Sequence, residues 1–258
     1  MRIAAAIEYN GGPYCGWQYQ DHSPSVQAEV EKAISKVADH FVRVVCAGRT
    51  DTGVHATEQI IHFDSDAKRS DWSWVSGTNT NLPESIRMIW VKQVKEDFHA
   101  RFSAIRRAYR YVINNRRIRP AIMHGLVSWQ YKPLDEKPMQ EAARHLIGQH
   151  DFTSYRAVGC QAKSPVREIY KLDVTRQGDM IFLNIEANAF LHHMVRNIAG
   201  VLMTIGAGEA EPEWAKEVLE HKNRKLGGIT ASPAGLYLTK VIYPDEFEIP
   251  VNVKRVFE

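Results

Sequence analysis

A short segment with a glycine near each end carries the side chains best suited to chemistry. Arg49 and Asp51 lie two residues apart between Gly48 and Gly53. Glycine permits sharp turns and the close approach of another molecule. Apolar runs precede and follow the segment and predict two β-strands. The pattern therefore places an arginine and a carboxylate in a loop between strands, which is a common way to mount catalytic groups on a rigid frame.

Asp51 has three interpretations on sequence alone. An aspartate in a turn commonly hydrogen-bonds its own backbone and has no catalytic part. The triplet Asp51-Thr52-Gly53 also resembles that of aspartic proteases, which need two carboxylates sharing one proton and would here require a homodimer. Arg49 argues against a shared proton, because a nearby guanidinium keeps a carboxylate ionised. An ionised aspartate beside an arginine suits a nucleophile.

A basic tract between residues 101 and 119 points to a nucleic-acid partner. It holds seven arginines, no acidic residue and three aromatic residues: Arg101, Arg106, Arg107, Arg110, Arg116, Arg117, Arg119, Phe102, Tyr109 and Tyr111. Such a composition is expected of a surface that follows phosphates and stacks bases, although a solvated edge is the alternative. Strand alternation places Arg107, Tyr109 and Tyr111 on one face and Arg110 on the other.

Composition sets broader limits. The 258 residues can bury a core as one large domain or two halves, and 44% hydrophobic with 24% charged residues is ordinary for a globular enzyme. A net charge of +3 is too small to indicate a nucleic-acid partner by itself. Three cysteines without a Cys-x-x-Cys pair favour free thiols in a reducing cytoplasm. No apolar run approaches the roughly 18 residues of a membrane span.

Apolar periodicity predicts the element order β-α-β-β-α-β twice along the chain. The first pass is strand 2–9, helix 26–38 capped by Ser25, strands 41–45 and 59–63, helix 71–80 and strand 85–94. Trp72 and Val75 are the expected buried face of the helix at 71–80. The second pass is strand 107–114, helix 138–147, a hairpin of strands 166–176 and 180–187, helix 192–205 and strand 236–243.

This order predicts an α+β fold made of two ferredoxin-like halves, 1–105 and 106–258. Joined edge to edge, the halves would form one wide, mixed, mainly antiparallel sheet. Its helices would cover one face, and an open catalytic cleft would lie on the other. Open sheet faces with aromatic residues are surfaces on which RNA-recognition modules stack bases. A fold alone does not establish such a use.

One arginine of the helix at 192–205 is out of place for a simple core helix. The apolar stripe of this helix is Met194, Val195, Ile198, Val201, Leu202 and Ile205. Arg196 lies away from the stripe, with His192 one turn before it. On the residues alone, Arg196 reads as an ordinary surface arginine.

The motifs together resemble a known family. They are Tyr9 with Tyr14-Cys15-Gly16-Trp17-Gln18, Gly48 to Ala56, Asn81-Leu82-Pro83, Asp97 to Ala104, Tyr109-Arg110-Tyr111, Asp151 to Ser154, Phe190 to Asn197 and Gly235 to Leu238. In this order they resemble the pseudouridine synthases of the TruA type, which modify the anticodon arm of tRNA. The resemblance covers nearly the whole chain and is specific as a set, whereas Asp-Thr-Gly alone is weak.

The resemblance implies an activity, partners and a location. The reaction would isomerise uridine to pseudouridine at tRNA positions 38 to 40, in the anticodon stem-loop. The family acts as a cytoplasmic homodimer that holds tRNA between two clefts. Breaking the N1–C1′ bond, turning the uracil and rejoining it through C5 involves no redox change and no net hydrolysis. No cofactor and no metal are therefore expected, consistent with the lack of a phosphate-binding glycine loop or metal-ligand spacing.

The resemblance also implies residue roles. Asp51 would be the catalytic carboxylate, acting at C6 of the base, at C1′ of the ribose or in loss of the C2′ proton. Tyr109 would stack on the everted uracil. Arg49 would pair with Asp51 and fill the gap left by the base, and Arg196 would pair with the carboxylate or hold the target phosphate. Arg107 and Arg110 are further substrate-binding candidates. A non-catalytic RNA-binding module is the main alternative, and a dimeric aspartic protease is a weaker one.

Overall fold

A computed structural model describes residues 1–250 and Phe257. Within these residues the chain forms ten strands and five helices. The strands are β1 Arg2–Tyr9, β2 Val45–Cys46, β3 His55–Asp64, β4 Ile86–Val94, β5 Arg106–Asn115, β6 Ser128–Gln130, β7 Gly148–Asp151, β8 Val166–Gln177, β9 Met180–Ala187 and β10 Leu236–Ile242. The helices are α1 Val26–Ala38, α2 Asp71–Asn81, α3 Glu136–Arg144, α4 Met194–Gly206 and α5 Trp214–His221. Most strand pairs are antiparallel, which confirms the predicted α+β class.

The chain divides into two compact units. One contains Met1–Arg107 together with the described residues from Tyr237 onward, and the other is Ala108–Leu236. In the first unit the strand order is β4-β1-β3, and both β2 and β10 pair with β3. β2 lies antiparallel beside Ile61 and His62, whereas β10 lies parallel beside His55 and Ala56. The order β4-β1-β3-β2 with helices α1 and α2 is that of a split βαβ unit.

Helix α1 forms as predicted. The Ser25 side chain caps it by accepting a hydrogen bond from the Ala28 N–H, at 3.3 Å. Its buried side chains, among them Val30 and Ile34, recur at helical spacing. Asp39 ends the helix in the left-handed region, with φ of 61°.

The strand predicted at residues 41–45 is much shorter than expected. The strand is limited to Val45–Cys46, although the alternation of exposed and buried residues before it is strand-like. Side chains of α1 explain the difference. The Val42 N–H donates to Ser35 Oγ at 2.9 Å, and the Val44 N–H donates to Glu31 Oε1 at 3.0 Å. A helix therefore satisfies backbone groups that a neighbouring strand would otherwise bind.

Helix α2 is present, but the predicted buried face is wrong. Trp72 is 76% exposed, whereas Trp74 is 2% exposed and packs edge-on against Phe63 with ring centroids 5.3 Å apart. Residues two apart on an α-helix point about 200° away from each other, so one helix cannot bury both tryptophans in a single core. The helix also packs closely on α1, since a Cβ at Gly77 would lie 3.0 Å from the Val37 side chain of α1.

The second unit has the strand order β5-β9-β8-β7, with β6 beside β5. The hairpin of β8 and β9 turns at Gly178, whose φ is +57°, as predicted from the sequence. Helix α3 packs against α4, α5 and β8. Helices α3 and α4 were predicted, with ends displaced by up to three residues. The short elements β6, β7 and α5 were missed, because three to eight residues carry little periodic signal.

Among the helices of the described residues, none is long and apolar enough to cross a membrane.

Replacing Trp74 by alanine is expected to lower the free energy of unfolding by about 3–5 kcal/mol, because it leaves a large cavity between α2 and β3. Replacing Trp72 by alanine is the matched control and should change the free energy of unfolding by less than about 0.5 kcal/mol, since this ring is in solvent. Urea unfolding followed by far-UV circular dichroism measures both. Equal losses in the two variants would contradict the observed face of α2.

Candidate active site

Asp51 lies in a tight turn between β2 and β3 and is half-buried. The Val54 N–H donates to the Asp51 carbonyl at 3.1 Å and closes the turn. Gly53 has φ of +76°, a conformation that glycine adopts without steric cost. The predicted need for glycine at this end of the segment is confirmed. The turn sets the direction in which the Asp51 side chain leaves the backbone.

The loop after β1 packs its own backbone against this turn. A Cβ on Gly11 would lie 2.0 Å from the Val54 carbonyl oxygen, and a Cβ on Gly16 would lie 2.8 Å from that of Thr50. Both distances are too short for any side chain. Gly16 also has φ of +93°. Two glycines of the loop after β1 are thus required for the main chain to approach the residues on both sides of Asp51.

Hydrogen bonds complete this frame. The Trp17 N–H donates to the Thr50 carbonyl at 3.0 Å, and the Gly53 N–H donates to the Tyr14 carbonyl at 3.4 Å. The Thr50 hydroxyl hydrogen-bonds the Tyr9 hydroxyl at 2.8 Å in a buried position. The backbone is therefore held on both sides of Asp51, and the rings of Tyr14 and Trp17 are buried beneath it.

His55 anchors the far end of the turn. It is buried, and its Nδ1 accepts a hydrogen bond from the Gly11 N–H at 3.0 Å. Nδ1 must therefore carry a lone pair, which leaves the ring proton on Nε2 in the neutral form. The imidazole stacks on Tyr237 of β10 with centroids 4.7 Å apart and an interplanar angle of 22°. Burial raises the pKa of Tyr237, so its phenol is neutral at physiological pH.

The structural role of Gly48 differs from the predicted one. A Cβ at this position would meet nothing within 4 Å, so neither a close approach nor a positive φ requires glycine here. The buried Gln59 side chain instead pairs with the Gly48 backbone and accepts from its N–H at 3.4 Å. Arg49, the next residue, is exposed. Among the described residues it makes no hydrogen bond or ion pair, so its pairing with Asp51 stays a prediction.

Cys46 is excluded as a competing nucleophile. Burial raises the pKa of its thiol to about 12, against a smaller opposing effect from the Arg49 guanidinium. A thiolate is the reactive form, and this thiol stays protonated at neutral pH. All three cysteines of the chain are free thiols.

Arg107 binds three backbone carbonyls within the first unit. Its guanidinium donates to the Ala47 carbonyl at 3.1 Å, the Arg101 carbonyl at 2.7 Å and the Ala104 carbonyl at 3.1 Å. Ala47 lies two residues before Arg49. The arginine therefore ties the start of the Asp51 segment to the beginning of the basic tract, and its predicted substrate contact stays a prediction.

Two histidines that sequence reasoning missed shape the start of the basic tract. His62 Nδ1 accepts from the Ala100 N–H at 3.0 Å, and His99 Nδ1 accepts from the N–H groups of Arg101 and Phe102 at 3.2 Å. Burial lowers the pKa of His62 to about 4, with a smaller contribution from His99, so His62 is neutral at physiological pH. No local sequence pattern predicts such contacts, because a histidine in a sequence does not indicate which backbone N–H group its ring will bind.

The second unit supplies the aromatic residue of the prediction. Tyr109 on β5 is half-buried, and Phe190 meets its ring edge-on with centroids 5.0 Å apart and an angle of 82°. Tyr111 differs from the expectation of two aligned phenols. It is completely buried, and its hydroxyl donates to the Ser232 carbonyl at 2.8 Å. Tyr109 is thus the partly exposed phenol of this strand, and Tyr111 belongs to the core.

Arg110 is fastened within the second unit. Its Nε donates to Asn184 Oδ1 of β9 at 2.8 Å, and its guanidinium lies 5.1 Å from the centre of the Phe182 ring. Further along the tract, Arg119 lies 4.8 Å from the Trp129 ring centre, and the Trp129 indole donates to the Arg116 carbonyl at 2.9 Å. Arg117 is exposed. Arg110 and Arg119 therefore contact aromatic rings of the protein itself and still contribute positive charge to the tract.

Arg196 lies in the first turn of α4 and is half-exposed, away from the buried stripe, as predicted. His193 precedes the helix with φ of 61°, which starts the helix abruptly. Arg196 Nε donates to the Ala231 carbonyl at 2.8 Å. The guanidinium is thus tethered through one nitrogen to a loop outside the helix.

Each unit has its own chemical capacity. The first presents a carboxylate on a turn that main-chain contacts hold, followed by a neutral buried imidazole. The second presents a phenol backed by a phenylalanine and a guanidinium at a helix start. Such groups suit reactions in which an anion is positioned, a planar ring is stacked and a phosphate or carboxylate is bound.

Comparisons with known proteins identify the family. A family model described as tRNA pseudouridine synthase matches residues 5–103 and 142–244. These stretches include Arg49, Asp51 and Arg196, whereas Arg107, Tyr109 and Arg110 lie between them.

Curated relatives agree over nearly the full length. A protein named tRNA pseudouridine synthase A from Coxiella burnetii (strain Dugway 5J108-111) is 55% identical over 249 residues, which cover 96% of this chain and 95% of the relative. Proteins of the same name are 54% identical in Legionella pneumophila (strain Corby), covering 98% and 96%. In Nitrosococcus oceani (strain ATCC 19707 / BCRC 17464 / JCM 30415 / NCIMB 11848 / C-107) the identity is 55%, with coverage of 97% and 96%.

Among solved structures, the chain is distantly similar to one described as a crystal structure of a Cbf5-Nop10-Gar1 complex. The TM-score is 0.41 at 12% identity, over 93% of this chain and 48% of the other. The match to the family model and the near-complete coverage of relatives at about 55% identity are sufficient to assign the family. The chain belongs to the tRNA pseudouridine synthase family.

Proposed function

We propose that the protein converts uridine to pseudouridine in the anticodon stem-loop of tRNA, with Asp51 as the catalytic carboxylate and without a cofactor. Membership of the family makes the protein an isomerase. The observation that carries the choice of residue is the Asp51 turn itself, a half-buried carboxylate within the matched stretch whose backbone is fixed on both sides. A fixed carboxylate avoids the entropic cost of orienting the group during reaction.

The chemistry balances without any added reagent. The N1–C1′ bond breaks, the uracil turns, a C5–C1′ bond forms, C5 loses a proton and N1 gains one. An ionised Asp51 assists by attack at C1′, by attack at C6 or by accepting the C2′ proton. All three routes need a carboxylate that stays ionised and reaches the base or the ribose of a nucleotide that has left its stack.

The second unit supplies groups that suit binding of the everted nucleotide. We propose that Tyr109 stacks on the uracil, with Phe190 behind its ring keeping the phenol in one orientation. Arg196 binds the target phosphate or the carboxylate, and the exposed Arg49 fills the space that the base vacates. Arg107 and Arg110 contribute to RNA binding as members of the basic tract.

The tract and the family together support tRNA as the partner. Exposed arginines at 101, 106, 117 and 119 provide charges for the backbone phosphates. We propose that the enzyme acts in the cytoplasm as a homodimer, following the resemblance of the sequence to its family.

Replacing Asp51 by asparagine is expected to slow the reaction on the order of a thousandfold or more, because the amide is neither a nucleophile nor a base at neutral pH. Binding of tRNA should be kept, since the phosphate contacts remain. Tritium release from tRNA labelled at C5 measures the reaction, and filter binding measures the complex. Asp66→Asn, on an exposed carboxylate, is the control. Tritium release by Asp51→Asn at the parental rate would show that another residue is the catalyst.

Replacing Tyr109 by leucine should weaken binding of substrate tRNA by roughly 1–3 kcal/mol, the usual contribution of one base–aromatic stack. Tyr109→Phe keeps the ring and its edge contact with Phe190, and should bind almost as the parent does. Equilibrium titration with fluorescent tRNA compares the two variants. The same affinity in both would remove the stacking role.

Replacing Arg117 by alanine should lower the slope of log affinity against log salt by about 1, because one phosphate contact and its counterion release are lost. Arg144→Ala removes an exposed arginine at the end of α3, outside the basic tract, and should leave the slope unchanged. Binding measured from low to moderate salt gives both slopes. A slope that both substitutions change equally would remove the tract from the RNA-binding surface.

A further inference from the structure

We infer that Thr230, Asn197 and Arg224 form a positioning network that aims the Arg196 guanidinium through the backbone of Ala231. The inference rests on the proposed function, in which Arg196 contacts the target nucleotide or the catalytic carboxylate. All of these residues belong to the second unit, and their contacts are internal to it.

Arg196 and Ala231 are joined by a reciprocal pair of hydrogen bonds. Arg196 Nε donates to the Ala231 carbonyl at 2.8 Å, and the Ala231 N–H donates to the Arg196 carbonyl at 3.1 Å. A long arginine side chain loses much conformational freedom when it is ordered, and a bond at Nε fixes the plane of its guanidinium. The position of the Ala231 carbonyl therefore sets the orientation of the Arg196 head group.

Ala231 belongs to an irregular loop, so its own position needs support. The loop runs between 3₁₀ turns at Arg224–Leu226 and Pro233–Gly235. Its larger apolar side chains give little support, because Leu226 is 53% exposed and Ile229 is 70% exposed, and the buried Ala231 side chain is a single methyl group. Polar contacts and close backbone packing must hold this loop against α4.

The polar support converges on Asn197, the residue next to Arg196. Asn197 is 1% exposed, and its Oδ1 accepts from the Thr230 hydroxyl at 2.7 Å and from Arg224 Nη2 at 3.0 Å. Arg224 Nη2 also donates to Thr230 Oγ1 at 2.9 Å, and its Nη1 donates to the Gly228 carbonyl at 2.8 Å. The Asn197 amide donates to the Tyr155 carbonyl at 2.8 Å, which fixes which atom is Oδ1.

Two glycines bring the loop close enough for this network. A Cβ on Gly200 of α4 would lie 1.9 Å from the Ile229 carbonyl oxygen, and a Cβ on Gly228 would lie 3.0 Å from the Val201 side chain. The backbone on either side of Thr230 is thus pressed on the helix, and the three polar side chains set its register there. Thr230 is the link next to Ala231, so loss of its hydroxyl loosens the carbonyl that Arg196 binds.

The experiment compares Thr230→Val with Thr230→Ser. Valine keeps the shape and removes the hydroxyl, which leaves Asn197 Oδ1 and Arg224 each short of one partner, whereas serine keeps the hydroxyl. Single-turnover rates at saturating tRNA should fall roughly tenfold for Thr230→Val and stay near the parental rate for Thr230→Ser. Thermal unfolding shows whether both variants are folded.

A double-mutant cycle with Arg196→Ala tests whether Thr230 acts through Arg196. Arg196→Ala alone should slow the reaction strongly, and adding Thr230→Val should then have no further effect. A tenfold loss in both backgrounds, or parental rates in Thr230→Val while Arg196→Ala is slow, would overturn the network and leave the proposed function standing. A parental rate in Arg196→Ala would instead remove the role proposed for Arg196.

Discussion

The site depends on main chain packed directly against main chain. Gly11 and Gly16 bring the loop after β1 within contact distance of Thr50 and Val54, where even one methyl group would clash. Close contact between the backbones leaves no room for water between them, and main-chain hydrogen bonds of 3.0 and 3.4 Å join the two segments, so the turn that carries Asp51 has little freedom to move. The buried His55 binds the same loop through the Gly11 N–H. The backbone that carries the Asp51 carboxylate is therefore held in one conformation.

The second unit orients its arginine in the same manner. Arg196 donates a hydrogen bond to a backbone carbonyl, and glycines of α4 and of the neighbouring loop allow the backbones of these two segments to touch. In both units the residue proposed to act is half-exposed. Main-chain atoms hold the backbone of Asp51 in one unit and the Nε of Arg196 in the other.

Local sequence patterns predicted what they encode directly. The cap at Ser25, the turn at Gly178 and the position of strand β5 were found because each depends on adjacent residues. The alternation predicted for β5 was wrong, because four consecutive residues from Tyr111 to Asn114 are buried. The Asp51 segment was found through its motif. The contacts of Gly11 and Gly16 were not predicted, because a close approach between segments distant in sequence leaves no periodic signal. The buried face of α2 was misjudged for a related reason. Trp72 and Trp74 are the same residue type, and the contact of Trp74 with Phe63, which distinguishes them, joins segments distant in sequence.

The extended segment before β2 has a consequence for solubility. An extended backbone with free N–H groups and an exposed apolar ring such as Phe41, 70% exposed, offers a template on which another molecule can add a strand. Ser35 and Glu31 occupy the N–H groups of Val42 and Val44, so these donors are not offered to a neighbouring molecule. Helix α1 thereby protects the protein against self-association by β-pairing at this edge, where a longer strand would invite it.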